Sequence, residues 1–229
     1  MNAQLRFDLG AQPTFRRETF VVSPSNAAAA AALDAWPDWL GGALALVGPE
    51  GSGKSHLASV WAEESSAIGL TAQALGRTDL AALGNSPVLV DGVEGADDEA
   101  LFHLLNRAAA GGGALLLTAR QRPTAWLSAL PDLRSRLNAL QVAEIGEPDD
   151  ALLTAVLAKF LAERDIIPLD GVLSYLAFRL ERSVLHARAA ADQLDRRMSL
   201  RQRTLSKVRA REILDLADPQ GELFDADEP

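Results

Sequence analysis

Apolar residues change rhythm partway along this chain. Up to about residue 147, short unbroken apolar runs alternate with longer segments whose apolar positions recur at helical spacing. The run Ala43–Val47, "ALALV", is flanked by glycines and reads as a strand buried on both faces. "PVLVD" (Pro87–Asp91), "ALLLTA" (Ala114–Ala119) and "LQVAEI" (Leu140–Ile145) read the same way, with Pro87 tolerated at a first strand position. "TAQAL" (Thr71–Leu75) is predicted as a further strand, and "FVVS" (Phe20–Ser23) as a short strand or a linker. Helices are predicted from the Asn26 N-cap to about Trp36, from about Lys54 to Ala67, and from Asp97 to Ala109, where Gly111, Gly112 and Gly113 end the last of them.

After Gly146-Glu147-Pro148 only helical periodicity remains. Asp149 and Asp150 cap a helix to about Arg164, with Leu152, Val156 and Phe160 on one face. Pro168 and Asp170 start another, Ser183 a third to about Ser199, and Lys207 to Leu216 forms a fourth. Strands alternating with helices predict an α/β domain with a parallel sheet covered on both faces. An all-helical domain follows it. The expected division is 1–19 an N-terminal segment, 20–147 the α/β domain, 148–217 the helical domain and 218–229 a C-terminal tail.

Composition narrows the classes. With 229 residues, 48% hydrophobic and 23% charged, the chain can build a sizeable core. The absence of cysteine excludes disulfides and thiolate metal sites, and the three histidines show no ligand spacing. No apolar run is long enough to cross a bilayer and no signal-peptide core is visible, so a cytoplasmic protein without membrane contact is expected. A net charge of −9 argues against a surface that binds nucleic acid throughout. That charge is uneven. From Arg196 to Arg211 there are seven basic residues and no acid; from Glu212 to Pro229 there are seven acids and no base. Two readings stand: a solvated helical face beside an acidic tail, or a basic patch that contacts DNA phosphates near a DNA-bound partner.

The chemistry concentrates in "GPEGSGKS". Gly48, Pro49, Glu50, Gly51, Ser52, Gly53, Lys54 and Ser55 satisfy G-x-x-x-x-G-K-[ST], the P-loop pattern. Glycines let the backbone curl so that N–H groups converge on a polyphosphate. Lys54 supplies a charge for the β- and γ-phosphates, the Ser55 hydroxyl is a Mg²⁺ ligand, and the following helix aims its N-terminal dipole at the anion. The loop lies between a buried strand and a helix, as the pattern requires. Asp91, at the C-terminal end of its strand, is placed to serve the same Mg²⁺.

These features together resemble the AAA+ ATPases, and in detail the DnaA-related regulators of replication initiation of the Hda/HdaA type. "FVVSPSN" resembles the linker before that family's first helix, and "GPEGSGKSHL", which includes His56, its Walker A run. "LLLT" ending at Thr118 resembles the sensor 1 strand. "LPDLRSRL" (Leu130–Leu137) resembles the box VII segment, with Arg136 at the arginine-finger position. "ADQLDR" (Ala191–Arg196) resembles the Hda lid. The resemblance implies an AAA+ nucleotide-binding domain followed by a helical lid, with ADP or ATP held by residues 48–56, Asp91 and Thr118. It departs from the family's active members at Gly92, where a second acid would follow Asp91. It departs also at Leu185, in the sensor 2 arginine position, and at Ala119-Arg120, where DnaA has a serine and an acid. These losses imply weak or no ATPase in this chain and ADP as the resting ligand. Only residues 218–229 follow the lid, so a regulator rather than the initiator, with its further DNA-binding domain, is expected.

The resemblance also gives the termini a role. "QLRFDL", with Gln4, Leu5, Phe7 and Leu9, resembles the peptides by which replication proteins dock on the β subunit sliding clamp of DNA polymerase III. Leu5, Phe7 and Leu9 alternate with polar residues, so one edge of an extended segment is apolar; the alternative is a strand added to the chain's own sheet. "QGELF" presents Gln220, Leu223 and Phe224 as a second such site, or as a chance pattern whose Phe224 packs on the lid. The function expected is negative regulation of replication initiation, by clamp docking and Arg136-driven hydrolysis of ATP on DnaA. The alternative is an autonomous P-loop ATPase of the DnaC-like helicase-loader kind. Self-association is left open.

Overall fold

The computed structural model describes residues 16–215. Its core is a parallel five-stranded sheet in the order β2-β3-β4-β1-β5, made by Ala43–Val47 (β1), Ile68–Thr71 (β2), Val88–Asp91 (β3), Leu115–Ala119 (β4) and Gln141–Glu144 (β5). The central strand β1 pairs with β4 and β5, and all five of its residues are buried. This explains its unbroken apolar run: a strand with helices on both faces has no solvent side to mark.

The two-residue period of a strand still divides that run. Ala43, Ala45 and Val47 join Val88, Val90, Leu115 and Leu117 beneath the helices Asp98–Ala109 (α4) and Pro131–Ala139 (α5). Leu44 and Leu46 join Leu89 and Leu116 on the opposite face, under Ala27–Asp34 (α1) and Lys54–Ser65 (α2). There Trp39 stacks on Trp61 with ring centroids 5.1 Å apart.

One predicted strand changes, and one segment given two readings takes the second. "TAQAL" is not a strand. The strand is β2, which ends at Thr71, and Ala72–Leu75 forms a short helix (α3). The Thr71 hydroxyl accepts from the Ala74 N–H at 3.3 Å, an N-cap that directs the following alanines and leucine into a helix. β2 itself lies at the sheet edge and contains Gly69, so its apolar signature is weak. "FVVS" forms no strand; it is a linker. Phe20 packs on the sheet-side core and Val21 on the second domain's core, so this linker joins both.

The second domain contains Asp150–Ala162 (α6), Val172–Arg179 (α7), Val184–Arg197 (α8) and Lys207–Leu214 (α9). Leu153, Leu157, Leu161, Leu176, Ala187 and Leu194 form its buried centre. It is not purely helical. Ile167–Pro168 (β6) and Thr204–Leu205 (β7) form a parallel two-stranded ladder too short to leave a periodic trace in the sequence.

Asp149 fastens the junction between the domains. Its carboxylate caps α6, accepting from the Leu152 N–H at 2.7 Å, and also accepts from the Ser25 N–H at 3.1 Å. Burial alone would raise its pKa, but these bonds together with those from Ser23 and Ser25 hold it below the ordinary carboxylate value. Asp149→Ala is expected to lower unfolding free energy by about 1–2 kcal/mol, and Asp149→Asn by much less, in urea titrations followed by circular dichroism.

Candidate phosphate-binding site

The site lies where β1, β3 and β4 end together. β1 runs into the loop at Gly48, whose N–H donates to the Ala119 carbonyl at the end of β4, at 3.2 Å. A side chain at Gly48 would put its Cβ 2.4 Å from the Ile145 carbonyl oxygen, so this close approach admits only glycine. Gly53, with φ +99°, caps α2 and offers no side chain to its first N–H groups. Those groups have no acceptor within a helix, which leaves them for an anion.

Three side chains complete the loop. Ser52 is buried, and its Oγ has no hydrogen-bond partner among the described residues. A buried hydroxyl without a partner is costly, so an incoming acceptor would satisfy it. Lys54 donates from Nζ to the carbonyls of Gly48, at 2.8 Å, and Pro49, at 2.7 Å. Burial lowers its pKa, opposed by Glu94, reinforced by Arg120 and opposed further by Asp91 and Glu50. Ser55 is exposed at the start of α2. Residues 48–55 therefore fit a bound polyphosphate: Ser52 Oγ has no partner among the described residues, no side chain caps α2, and the Lys54 ammonium rests on the loop carbonyls.

Asp91 and Thr118 meet behind the loop. The Thr118 hydroxyl donates to Asp91 Oδ1 at 2.6 Å and accepts from the Gly92 N–H at 2.9 Å. Thr118 is buried, whereas Asp91 is exposed at the strand end. Thr118 thus orients Asp91, and its only proton is already committed. Gly92 adopts φ +66°, a left-handed conformation that disfavours an acid's side chain at that position. The chain then turns back, and the Glu94 carboxylate accepts from the Arg120 N–H beyond β4. The Arg120 guanidinium pairs with Glu50 at 2.9 Å. Neither Glu94 nor Arg120 belongs to the loop motif. Only the sheet topology, which places β3 beside β4, brings them to the site.

The lid touches the loop directly. Val184, the first residue of α8, donates its N–H to the Gly51 carbonyl at 2.9 Å. Gly51 has φ +71°, and a Cβ there would lie 2.0 Å from Ser183 Oγ. The next residue, Leu185, is half exposed and apolar. His56 faces the linker, with Nε2 3.1 Å from the Arg16 carbonyl, and its ring meets Phe20 edge-on at 5.3 Å. It lies on the linker side of α2.

Arg136 stands apart from this cluster. Leu133 and Leu137 anchor α5 in the core, and Arg136 lies between them on the exposed side. Among the described residues its guanidinium has no hydrogen-bond or ion-pair partner. Leu127, just ahead of α5, is 99% exposed. The basic run does not form one free face: Arg203 is tied to Asp195 and to the Arg164 carbonyl, and Arg197 donates to the Ile213 carbonyl at 3.2 Å. Arg196, Arg201 and Lys207 are exposed. Gln4, Leu5, Phe7, Leu9, Gln220, Leu223 and Phe224 lie outside the described residues. Among the described residues, no helix is long and apolar enough to cross a membrane.

No protein-family model matches the chain. No curated protein matches it either. Solved structures do. Domain III of the replication initiation protein DnaA from Thermotoga maritima superposes with a TM-score of 0.72 at 19% identity, over 89% of this chain and 97% of that one. AMPPCP-bound DnaA from Aquifex aeolicus gives 0.65 at 20% identity, over 79% of this chain and 65% of that one. A single-residue variant of Thermotoga maritima RuvB gives 0.65 at 18% identity, over 82% and 66%. The fold is therefore the AAA+ P-loop fold, a parallel α/β domain followed by a small, mainly helical domain.

Burial lowers the pKa of His56 below its ordinary 6.5; a hydrogen bond to the Arg16 carbonyl opposes this, and the nearby Lys159 and Arg188 add to it. The unfolded chain then takes up this proton first as the pH falls below 6.5. Folding stability should therefore decline with falling pH in that window. His56→Gln should lessen the decline between pH 7 and pH 5 in thermal melts, relative to the parent protein.

Proposed function

We propose that this chain is a nucleotide-holding regulator of replication initiation. In this reading it docks on the sliding clamp through Gln4, Leu5, Phe7 and Leu9 and presents Arg136 to the ATP site of a DnaA-type initiator. The observation that carries the proposal is the placement of Arg136: exposed on a helix anchored by Leu133 and Leu137, with its guanidinium unpaired among the described residues. A cation so presented can neutralise charge developing on a neighbour's transferring phosphoryl group, a role worth roughly 10³–10⁵ in rate in other phosphoryl-transfer systems. The initiator would then pass to its ADP form.

The chain's own nucleotide, ADP or ATP, would be held by the N–H groups of residues 51–55, Ser52 Oγ and Lys54. Mg²⁺, when bound, would neutralise phosphate charge beside Ser55 and the Thr118-oriented Asp91. Three features favour holding over turnover: the left-handed Gly92 in place of an acid, the apolar Leu185 at the start of α8, and the committed proton of Thr118. The exposed Arg196, Arg201 and Lys207 are the candidates for a DNA phosphate contact. The setting is the cytoplasm, and "QGELF" at the other terminus would add a second clamp contact, raising apparent affinity through effective concentration.

One observation favours the second reading, an autonomous ATPase of the helicase-loader kind. Glu94 brings an acid to the strand ends after all, by way of Arg120. The two readings separate in one assay series. Hydrolysis of DnaA-bound ATP on clamp-loaded DNA should rise on adding this protein. Arg136→Ala should lose that rise by roughly 10³-fold, and Gln4→Ala should weaken its dependence on clamp. Rapid ATP turnover by the isolated chain, abolished by Arg136→Ala, would instead support a self-assembling ATPase.

A further inference from the structure

We infer that Arg120 is a nucleotide-contacting residue of this chain. It would bind the terminal phosphate of a nucleoside triphosphate, and Glu50 holds its guanidinium over the loop until that phosphate takes the carboxylate's place. The inference rests on the reading that residues 48–55 hold a nucleotide.

The placement is architectural. Ala119 accepts the hydrogen bond of Gly48, the first residue of the loop, so Arg120 leaves β4 directly beside it. Its main chain is fixed, because Glu94 accepts from its N–H. Its side chain reaches across to the loop, where Glu50 lies between Pro49 and Gly51 and pairs with it at 2.9 Å. Burial depresses the pKa of Lys54, Glu94 opposes that, and Arg120 is the next contributor, as expected for two cations sharing one small site.

Arg120 has few rivals for this task. The Thr118 hydroxyl is committed to Asp91, and the lid residues that meet the loop, Ser183 and Val184, carry no cation and are followed by the apolar Leu185. The lid cations have their partners away from the loop: Arg182 pairs with Asp150 at 2.9 Å, and Arg188 stacks over Phe160 at 4.8 Å. The Arg120–Glu50 pair lies on the loop itself and is easily exchanged. Its side chains are 69% and 67% exposed, and exposed ion pairs hold weakly. A terminal phosphate carries more charge than a carboxylate and matches the forked donors of a guanidinium. A diphosphate lacks that group, so the pair would stay closed over ADP. Glu50 then becomes a competitor of the γ-phosphate, and the site discriminates ATP from ADP without an arginine from the lid.

The test is equilibrium binding of ADP and of the non-hydrolysable triphosphate AMPPCP, by calorimetry on the full chain with Mg²⁺. Arg120→Ala is expected to weaken AMPPCP by roughly 10-fold or more, the size of a lost charge-assisted hydrogen bond, and to leave ADP within about 2-fold. Arg120→Lys should recover part of the loss, and Glu50→Gln should tighten AMPPCP but not ADP. Equal weakening of both nucleotides by Arg120→Ala, or no change in either, overturns the assignment while the nucleotide reading stands. A parent protein that binds neither nucleotide overturns both.

Discussion

A single hydrogen bond, from the Thr118 hydroxyl to the Asp91 carboxylate, governs how the sheet ends beneath the phosphate loop. It joins β4 to β3 at their C-terminal ends, and the Gly92 N–H closes it from the other side. The sharp left-handed turn at Gly92 follows from this junction, because the chain must bend away at once to let its N–H reach Thr118. The same bend brings Glu94 back over the end of β4, where it holds Arg120. No acid follows Asp91 directly; Gly92 turns the chain there, and Glu94 acts as a buttress for Arg120. The strand ends thus fix charged groups in place beside the loop.

The two domains meet at the phosphate loop and along the linker. Val184 and Ser183 of the lid seat against Gly51, while the linker from Arg16 to Ser25 passes between His56, Lys159 and Asp149. A ligand in the loop would therefore be felt by the lid through Gly51 and by the linker through α2. Arg136 lies on α5, outside this chain of contacts. A group meant to serve another molecule need not move with the chain's own ligand, and the separation is consistent with a division of labour between a holding site and a presented side chain.

Much of this is legible in the sequence because each part obeys a local rule. β1, β3 and β4 announce themselves as apolar runs, and the loop by its glycines and Lys54. Asp97, Asp149 and Ser183 mark helix starts with capping side chains that the structure confirms. Where local rules run out, the sequence misleads or falls silent. Thr71 reads as the start of a strand, although its hydroxyl caps a helix. β6 and β7 are too short for any period. The Glu94–Arg120–Glu50 chain is invisible for a different reason: it spans three segments far apart in sequence, and only the parallel order β3-β4-β1 aligns them. Exposure of Arg136 cannot be read from a motif either; it follows from the spacing of Leu133 and Leu137 on α5.

The claim that Arg136 serves a foreign nucleotide site can be tested by proximity. A photo-crosslinking amino acid placed at position 136 can be irradiated in the presence of clamp, DNA and an ATP-loaded DnaA initiator, and the adducts mapped by mass spectrometry. The account predicts adducts on the residues that line the initiator's nucleotide pocket. Adducts confined to this chain, or to a second copy of it, would contradict the account.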